Sequence, residues 1–372
     1  MDIKNKYNKL GSVELFVFTY CSTVTIGFIF LPYISNEEIR SAWLKVIVAV
    51  FPFLLFIYLF KKVTVKHDTT DIFGLFKKLS PSWIFYIVIA YFFISSVYSI
   101  FFGTKSLIII VQTYLMQDTL QWKIGISFLF VVALSVFYGI HSISRMLVVI
   151  FFHEIILLMS LFLFLFSDDF RWINVPPTFG VDAWTFMKSS LSDLTRYGGI
   201  VALLAYVPYV NKDVKIFRPI TFSLIMVMIT YALICIVTLG VFGFEQALTL
   251  LSPVTALMQT TTSPTGLFER LDLFFLTVWV MSFFKIGMIY LWFSSKLLVK
   301  IIPVKPKWEW IHISIISIAV MVLVVLTPSI TNLDWRPYNM NMLIYSLTLP
   351  IMLFLYLLMR RKKNSQGNEQ NG

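Results

Sequence analysis

The sequence predicts an all-α polytopic membrane protein of about ten transmembrane helices, in a five-plus-five inverted repeat with helices one and six broken. Three observations carry this. Of 372 residues, 58% are hydrophobic and only 13% charged, about half the charged fraction of a soluble domain. The apolar residues fall into runs of about 20, the length that crosses the hydrocarbon core. Cations cluster in every second connection, as the positive-inside rule requires of an even number of crossings.

Ten runs meet the length criterion: Val13–Tyr33, Ala42–Phe60, Ser82–Ile110, Trp122–Ile140, Met146–Phe166, Met187–Tyr209, Pro219–Phe244, Leu267–Leu298, Trp310–Thr327 and Asn341–Met359. The first follows Lys4, Lys6 and Lys9 and resembles a signal peptide, but it is too long and has no A-x-A cleavage site, so it reads as a retained helix. Twenty of the 30 Lys and Arg residues lie on one side of the alternation. They precede span one, separate spans two and three (Lys61 to Lys78), four and five (Arg145), and six and seven (Lys212 to Arg218). The remainder flank the connection between spans eight and nine (Lys296 to Lys307) or follow span ten (Arg360 to Lys363). The opposite connections, SNEEIRS, SDDFRW and TNLDWRPY, are poor in cations. Both termini are therefore expected in the cytoplasm.

The expected organisation is a cytoplasmic segment 1–11, one transmembrane domain 12–359 (repeat one about 12–166, repeat two about 187–359), and a basic then disordered tail 360–372. An odd repeat of five enters the second copy from the opposite side, hence the inversion. Asp71 to Leu79 reads as a short amphipathic helix on the cytoplasmic surface, and the Thr-, Ser- and Pro-rich stretch 245–266 as a loop over the external mouth. The net charge of +11 sets orientation and does not mark a nucleic-acid face, because no basic surface interleaves with exposed aromatics. Cys21 and Cys235 both lie in apolar runs and support neither a disulfide framework nor a metal site.

Two runs carry backbone breaks. Span six, LSDLTRYGGIVALLAYVPY, is interrupted by Gly198-Gly199, and span one contains STVTIGFIFLPY with Gly27. Glycine costs roughly 1 kcal/mol against alanine inside a helix, and bare backbone at membrane depth is tolerated only where it is buried in protein or lines a cavity. Breaks in corresponding positions of two halves point to a solute site; the bland alternative is close helix packing. Candidate ligand-binding residues are Thr25, Gly27, Tyr98, Phe102, Tyr197, Gly198, Gly199, Ile200 and Tyr290. Tyr91, Ser95, Tyr98 and Phe102 share one face of span three, while Trp279, Phe283 and Tyr290 run along span eight. Buried tyrosine hydroxyls need partners, which a pocket between spans one, three, six and eight would supply.

Ionisable groups within spans are functional candidates by default. Glu154 and Lys285 sit near mid-membrane on different helices and are expected to pair, as a clamp or as a coupling or gate element, since breaking a buried pair strands the other charge. The ammonium would then stand in for a sodium ion between spans one and eight. Lys105 reads as a snorkelling side chain at the end of span three. His153-Glu154 begins an H-E-x-x-H pattern, but Leu157 replaces the second ligand, so no metal site follows.

TIGFIFLPY in span one, LFERLD at 267–272 and the ten-span layout together resemble the B subunit of the nutrient germinant receptors of endospore-forming bacteria, a family within the amino acid–polyamine–organocation transporter superfamily. The resemblance covers nearly the whole chain. It implies a leucine-transporter-type inverted repeat and a small-molecule germinant pocket at the broken helices; helix N–H groups beside Tyr197 would suit a carboxylate, so an amino acid or similar small polar nutrient is expected there. It further implies A-type and C-type (lipoprotein) receptor subunits as partners and residence in the bacterial cell membrane or spore inner membrane. The chain departs from many relatives in carrying Arg196 beside the span-six break, where they carry an acidic residue. Glu269 and Asp272 open span eight and suit its positive N-terminal dipole, and Arg270 between them is expected to pair with either carboxylate or with a neighbouring external loop. A proton-coupled amino acid permease is the alternative function. An enzyme is not expected, because no nucleophile–base set or metal ligand set is present, and no cofactor is expected.

Overall fold

A helix at membrane depth survives only if its backbone groups are satisfied internally, so interruptions and the residues that cap them define this architecture. The computed structural model describes residues 9–24, 31, 41–175, 182–250, 252–259, 271–327 and 335–360. The described residues are almost wholly helical and contain no β-strand; one isolated bridge pairs Leu10 with Val210. In order they form α1 (Ser12–Thr23), α2 (Ala42–Val48), α3 (Phe51–His67), α4 (Ile72–Leu79), α5 (Ser82–Tyr114), α6 (Gln121–Phe137), α7 (Gly139–Leu163) and α8 (Ala183–Asp193). A 3₁₀ segment, Leu194–Ala202, leads into α9 (Leu203–Tyr206), followed by α10 (Phe217–Thr249), α11 (Pro253–Gln259), α12 (Leu271–Ile301), α13 (Glu309–Leu326) and α14 (Trp335–Leu343). A π-helical turn, Ile344–Thr348, then joins α14 to α15 (Leu349–Met359).

Seven stretches are long and apolar enough to cross a membrane: Ala42–His67, Ser82–Tyr114, Gly139–Phe166, Phe217–Ala247, Thr277–Ile301, Pro306–Leu326 and Pro337–Met359. They coincide with sequence spans two, three, five, seven, eight, nine and ten; α6 is a shorter apolar helix over span four. The chain is an all-α polytopic integral membrane protein. Span six lacks a continuous helix because the 3₁₀ segment interrupts it at Gly198-Gly199. Span one is helical to Thr23, and Thr25 and Gly27 lie outside the described residues, as do Glu269 and Arg270.

Prolines place the other interruptions. Pro52 has no N–H for the Val48 carbonyl, and α2 gives way to α3 at Ala49-Val50. Pro350 similarly leaves the Ser346 carbonyl without its helical donor, and the backbone there widens into the π turn. Gly243, with φ 70°, occupies the left-handed region near the end of α10. The nearby Gly240 carbonyl accepts from Arg171 N–H (3.0 Å) and Asn174 Nδ2 (3.1 Å).

α5 and α12 pack side by side along much of their length, with α1, α7 and α10 against them or one another. The expected short amphipathic helix is present as α4, and its apolar face packs against the bundle. Ile72, Phe73 and Phe76 are buried, Phe73 against Phe92 and Phe293, and Phe76 against Phe85 and Tyr356. Its amphipathic face is thus used to seal one end of the bundle, with Asp71 capping Gly74 N–H at 2.9 Å.

Candidate functional site

The 3₁₀ segment is the centre of the site. A 3₁₀ turn forms i→i+3 bonds and leaves its flanking groups poorly served, and here Tyr231 of α10 compensates. Its buried hydroxyl lies 3.1 Å from both the Thr23 carbonyl at the end of α1 and the Arg196 carbonyl in the segment. One phenol therefore bridges the interrupted ends of spans one and six. Gly199 permits their contact: a Cβ there would sit 1.6 Å from the Ser22 carbonyl oxygen. At Gly198 a Cβ would meet Met342 and Ser346 of span ten. Both glycines are close-approach positions between helices, so the packing alternative holds for their α-carbons.

Tyr197 is fully buried, but its hydroxyl donates to the Val46 carbonyl of α2 (2.7 Å), and its ring meets Phe53 and Tyr231. Ile200 is fully buried in the same segment. Phe102 stacks on Tyr338 (centroids 4.0 Å), and Tyr98 lies 6.0 Å from the same ring. Tyr91 and Ser95, on the same face of α5, donate to Asn341 Oδ1 at 3.1 and 3.0 Å. The face expected to line a pocket thus meets α14.

Span ten is what sequence reasoning missed. Thr195 Oγ1 donates to Asn339 (3.2 Å), Ser99 to Met342 Sδ (3.5 Å), and Gly198 rests on Met342 and Ser346. The signal was present: RPYNMNMLIYSLTLP holds four hydroxyl groups and two amides within an apolar run ending at a proline.

Several buried polar atoms around this junction have no hydrogen-bond partner among the described residues: Thr23 Oγ1, Tyr290 OH, Asn341 Nδ2, Tyr345 OH and Ser346 Oγ. Tyr290 neighbours Tyr345, Tyr338, Tyr231 and Ser99. Each unsatisfied buried group costs about 1–3 kcal/mol, and such a set drawn from α1, α12, α14 and the π turn can bind a small polar solute. The hydroxyls and amide N–H suit a carboxylate, while the C-terminal end of α1 carries the partial negative charge that suits an ammonium.

A second missed feature lies beside the break. Asp193 Oδ1 accepts from Arg196 Nε at 2.6 Å, and Lys45 Nζ lies 3.6 Å from Oδ2, with Lys45 and Asp193 almost fully buried. The carboxylate explains how Arg196 is accommodated at this depth, since burying an unpaired charge is costly.

Glu154 and Lys285 meet as an ion pair of 2.5 Å, with Ser282 Oγ also donating to Glu154 Oε1 at 2.5 Å. Lys285 Nζ lies 5.8 Å from the Tyr20 ring, so the ammonium sits where α1, α7 and α12 meet. Oε2 of Glu154 has no hydrogen-bond partner among the described residues. His153 points elsewhere, bonding the Val149 carbonyl of its own helix from an exposed position. Lys105 is buried and donates to the Thr327 carbonyl (2.8 Å) and Gln121 Oε1 (3.2 Å), groups at the ends of two neighbouring helices.

Comparison with known proteins places this arrangement in a family. The profile described as "Spore germination protein" matches residues 9–332. Spore germination protein A2 of Bacillus subtilis (strain 168) is 24% identical over 284 residues, covering 76% of this chain and 77% of that protein. With a match that spans the broken helices, the buried ion pair and most of the apolar helices, the chain belongs to the spore germination protein family.

Proposed function

We propose that this protein is the germinant-binding membrane subunit of a nutrient receptor, taking a small zwitterion such as an amino acid at the junction of spans one, six and ten and signalling germination to A-type and C-type subunits. The observation that supports it best is the group of buried polar atoms on Thr23, Tyr290, Asn341, Tyr345 and Ser346 that have no partner among the described residues, set around two interrupted helices. The family match supports the germination role. The relative's name, a spore germination protein, favours a receptor over the permease alternative. In this reading the ten apolar segments form five plus five with both termini cytoplasmic, the protein is not an enzyme, and Glu154–Lys285 is a coupling element between α7 and α12. Binding draws the C-terminal end of α1, the 3₁₀ segment and the π turn around one solute, and the displacement is what the partner subunits sense.

The test is a germination dose–response in spores carrying Tyr290→Phe, Asn341→Ala or Ser346→Ala at matched membrane abundance. Each variant should need roughly tenfold more nutrient, the loss expected for one hydrogen bond to a charged group. Tyr86→Phe, on the exposed face of α5, should leave the curve unchanged. Unshifted curves in all three site variants would move the ligand elsewhere. Accumulation of labelled amino acid by the purified protein in liposomes would favour the permease.

A further inference from the structure

Away from the broken helices, two adjoining cavities at the Leu10–Val210 end have complementary chemistry. The first is a cavity of about 650 Å³ lined by Lys9, Lys61, Lys212, Lys215 and Arg218, with Asp68 the one acidic residue in its lining. None of these five cations has an ion-pair partner among the described residues, and all five are exposed. The start of α10 faces the same space. It has no side-chain cap and no acidic residue in its first turn, so its positive dipole end adds to the field instead of being neutralised.

The second is a groove of about 1000 Å³ running alongside, lined by Phe16, Leu54, Ile57, Phe222 and Ile225 among others, and much more apolar than polar. Lys61, Phe217 and Arg218 belong to both linings, so the groove opens directly into the basic cavity. Tyr58, exposed beside the groove, carries Lys62 Nζ 4.6 Å above its ring, an amphipathic pairing of the kind enriched at bilayer interfaces. Val13 and Phe222 at the groove edge are 65% and 67% exposed, which in a transmembrane protein means exposure to lipid.

The geometry points to a bound anionic phospholipid, its acyl chain in the groove between α1, α3 and α10 and its phosphate in the basic cavity. A soluble anion would use the cavity and leave the groove to bulk lipid; a zwitterionic lipid would fill the groove but bring a further cation into a cavity already lined by five against one carboxylate. Basic pockets between transmembrane helices are the expected form of such a site. The position has consequences for the fold. The cavity lies where Leu10 N–H meets the Tyr209 carbonyl (3.2 Å) and Asn211 N–H meets the Leu10 carbonyl (2.9 Å). A lipid there clasps the entry to span one and the exit from span six, the two interrupted elements.

The experiment is native mass spectrometry of the delipidated full chain in detergent, titrated with phosphatidylglycerol or with phosphatidylcholine of the same acyl chains. One phosphatidylglycerol adduct should be retained in preference to phosphatidylcholine, and dihexanoyl-phosphatidylglycerol should bind more weakly. The exposed pair K61Q/R218Q should weaken retention roughly thirtyfold, at the usual contribution of a basic side chain near an anionic surface. The pair K305Q/K307Q, on the α12–α13 connection, should change it less than twofold. Equal losses in the two pairs would mean diffuse attraction and overturn the site. Displacement of the lipid by millimolar glycerol phosphate would make it a free-anion pocket, also overturning the proposal. No preference for phosphatidylglycerol, with Lys61 and Lys215 shielded from amine labelling only in the assembled receptor, would assign the cavity to a polypeptide partner instead.

Discussion

At Gly199 a single hydrogen atom decides whether spans one and six can touch. A Cβ would overlap the Ser22 carbonyl at 1.6 Å, and backbone cannot swing aside as a side chain can. Gly199→Ala should therefore cost about 3 kcal/mol, the upper part of the usual overpacking range, seen as lost thermal stability of the purified protein. Gly198→Ala meets the flexible end of Met342 and should cost about 1 kcal/mol. Equal tolerance at both positions would mean that α1 yields. The Glu154–Lys285 pair is governed by charge. Lys285→Met leaves a buried carboxylate with only Ser282 for company and should destabilise by about 3–5 kcal/mol, whereas Glu154→Gln with Lys285→Met should recover most of that. Additive losses in the double-mutant cycle would show two independent charges.

Among elements, the junction of α1, the 3₁₀ segment and α10 rests on the Tyr231 hydroxyl, which lies on the Thr23 and Arg196 carbonyls together. Tyr231→Phe keeps the ring packing against Tyr197 and removes only the bridge. It should cost about 1–2 kcal/mol and speed amide hydrogen exchange in Leu194–Ala202, while α5 and α12 exchange as before. Unchanged protection of the 3₁₀ segment would show that its side-chain packing suffices. How legible this junction was differs by element. The break in span six was readable from Gly198-Gly199, because backbone freedom belongs to the residue itself. The part played by α14 was not, since the pattern of amides and hydroxyls in span ten marks a polar face without saying what faces it.

For the whole molecule, α10 is a ruler. It leaves the Asn211 end at Phe217 and reaches the Arg171–Gly240 contact after a rise of about 35 Å. Asp169 and Asn211 thus lie at opposite ends of the bundle. With Cys21 and Cys235, both buried, replaced by alanine, Asp169→Cys should react with an impermeant thiol reagent in intact cells and Asn211→Cys only after permeabilisation. The reverse would invert the orientation read from the cations.

Hydropathy, run length and cation distribution are sums over single residues, and for that reason the all-α membrane class and most of its helices are determined by the sequence alone. The desolvation cost of a charge is equally a property of one residue, which is how Glu154 and Lys285 could be matched before any contact was known. Contacts between helices depend instead on the rotation and crossing of each helix about its axis, and in lipid no hydrophobic force fixes these quantities; close packing and interhelical hydrogen bonds do. Lys45 meeting Asp193, Tyr231 spanning two breaks, Phe102 stacking on Tyr338 and the basic cavity opening into an apolar groove are all pairings of that kind. Only the tertiary structure decided them, because each requires two surfaces to be turned towards one another across many residues of intervening chain.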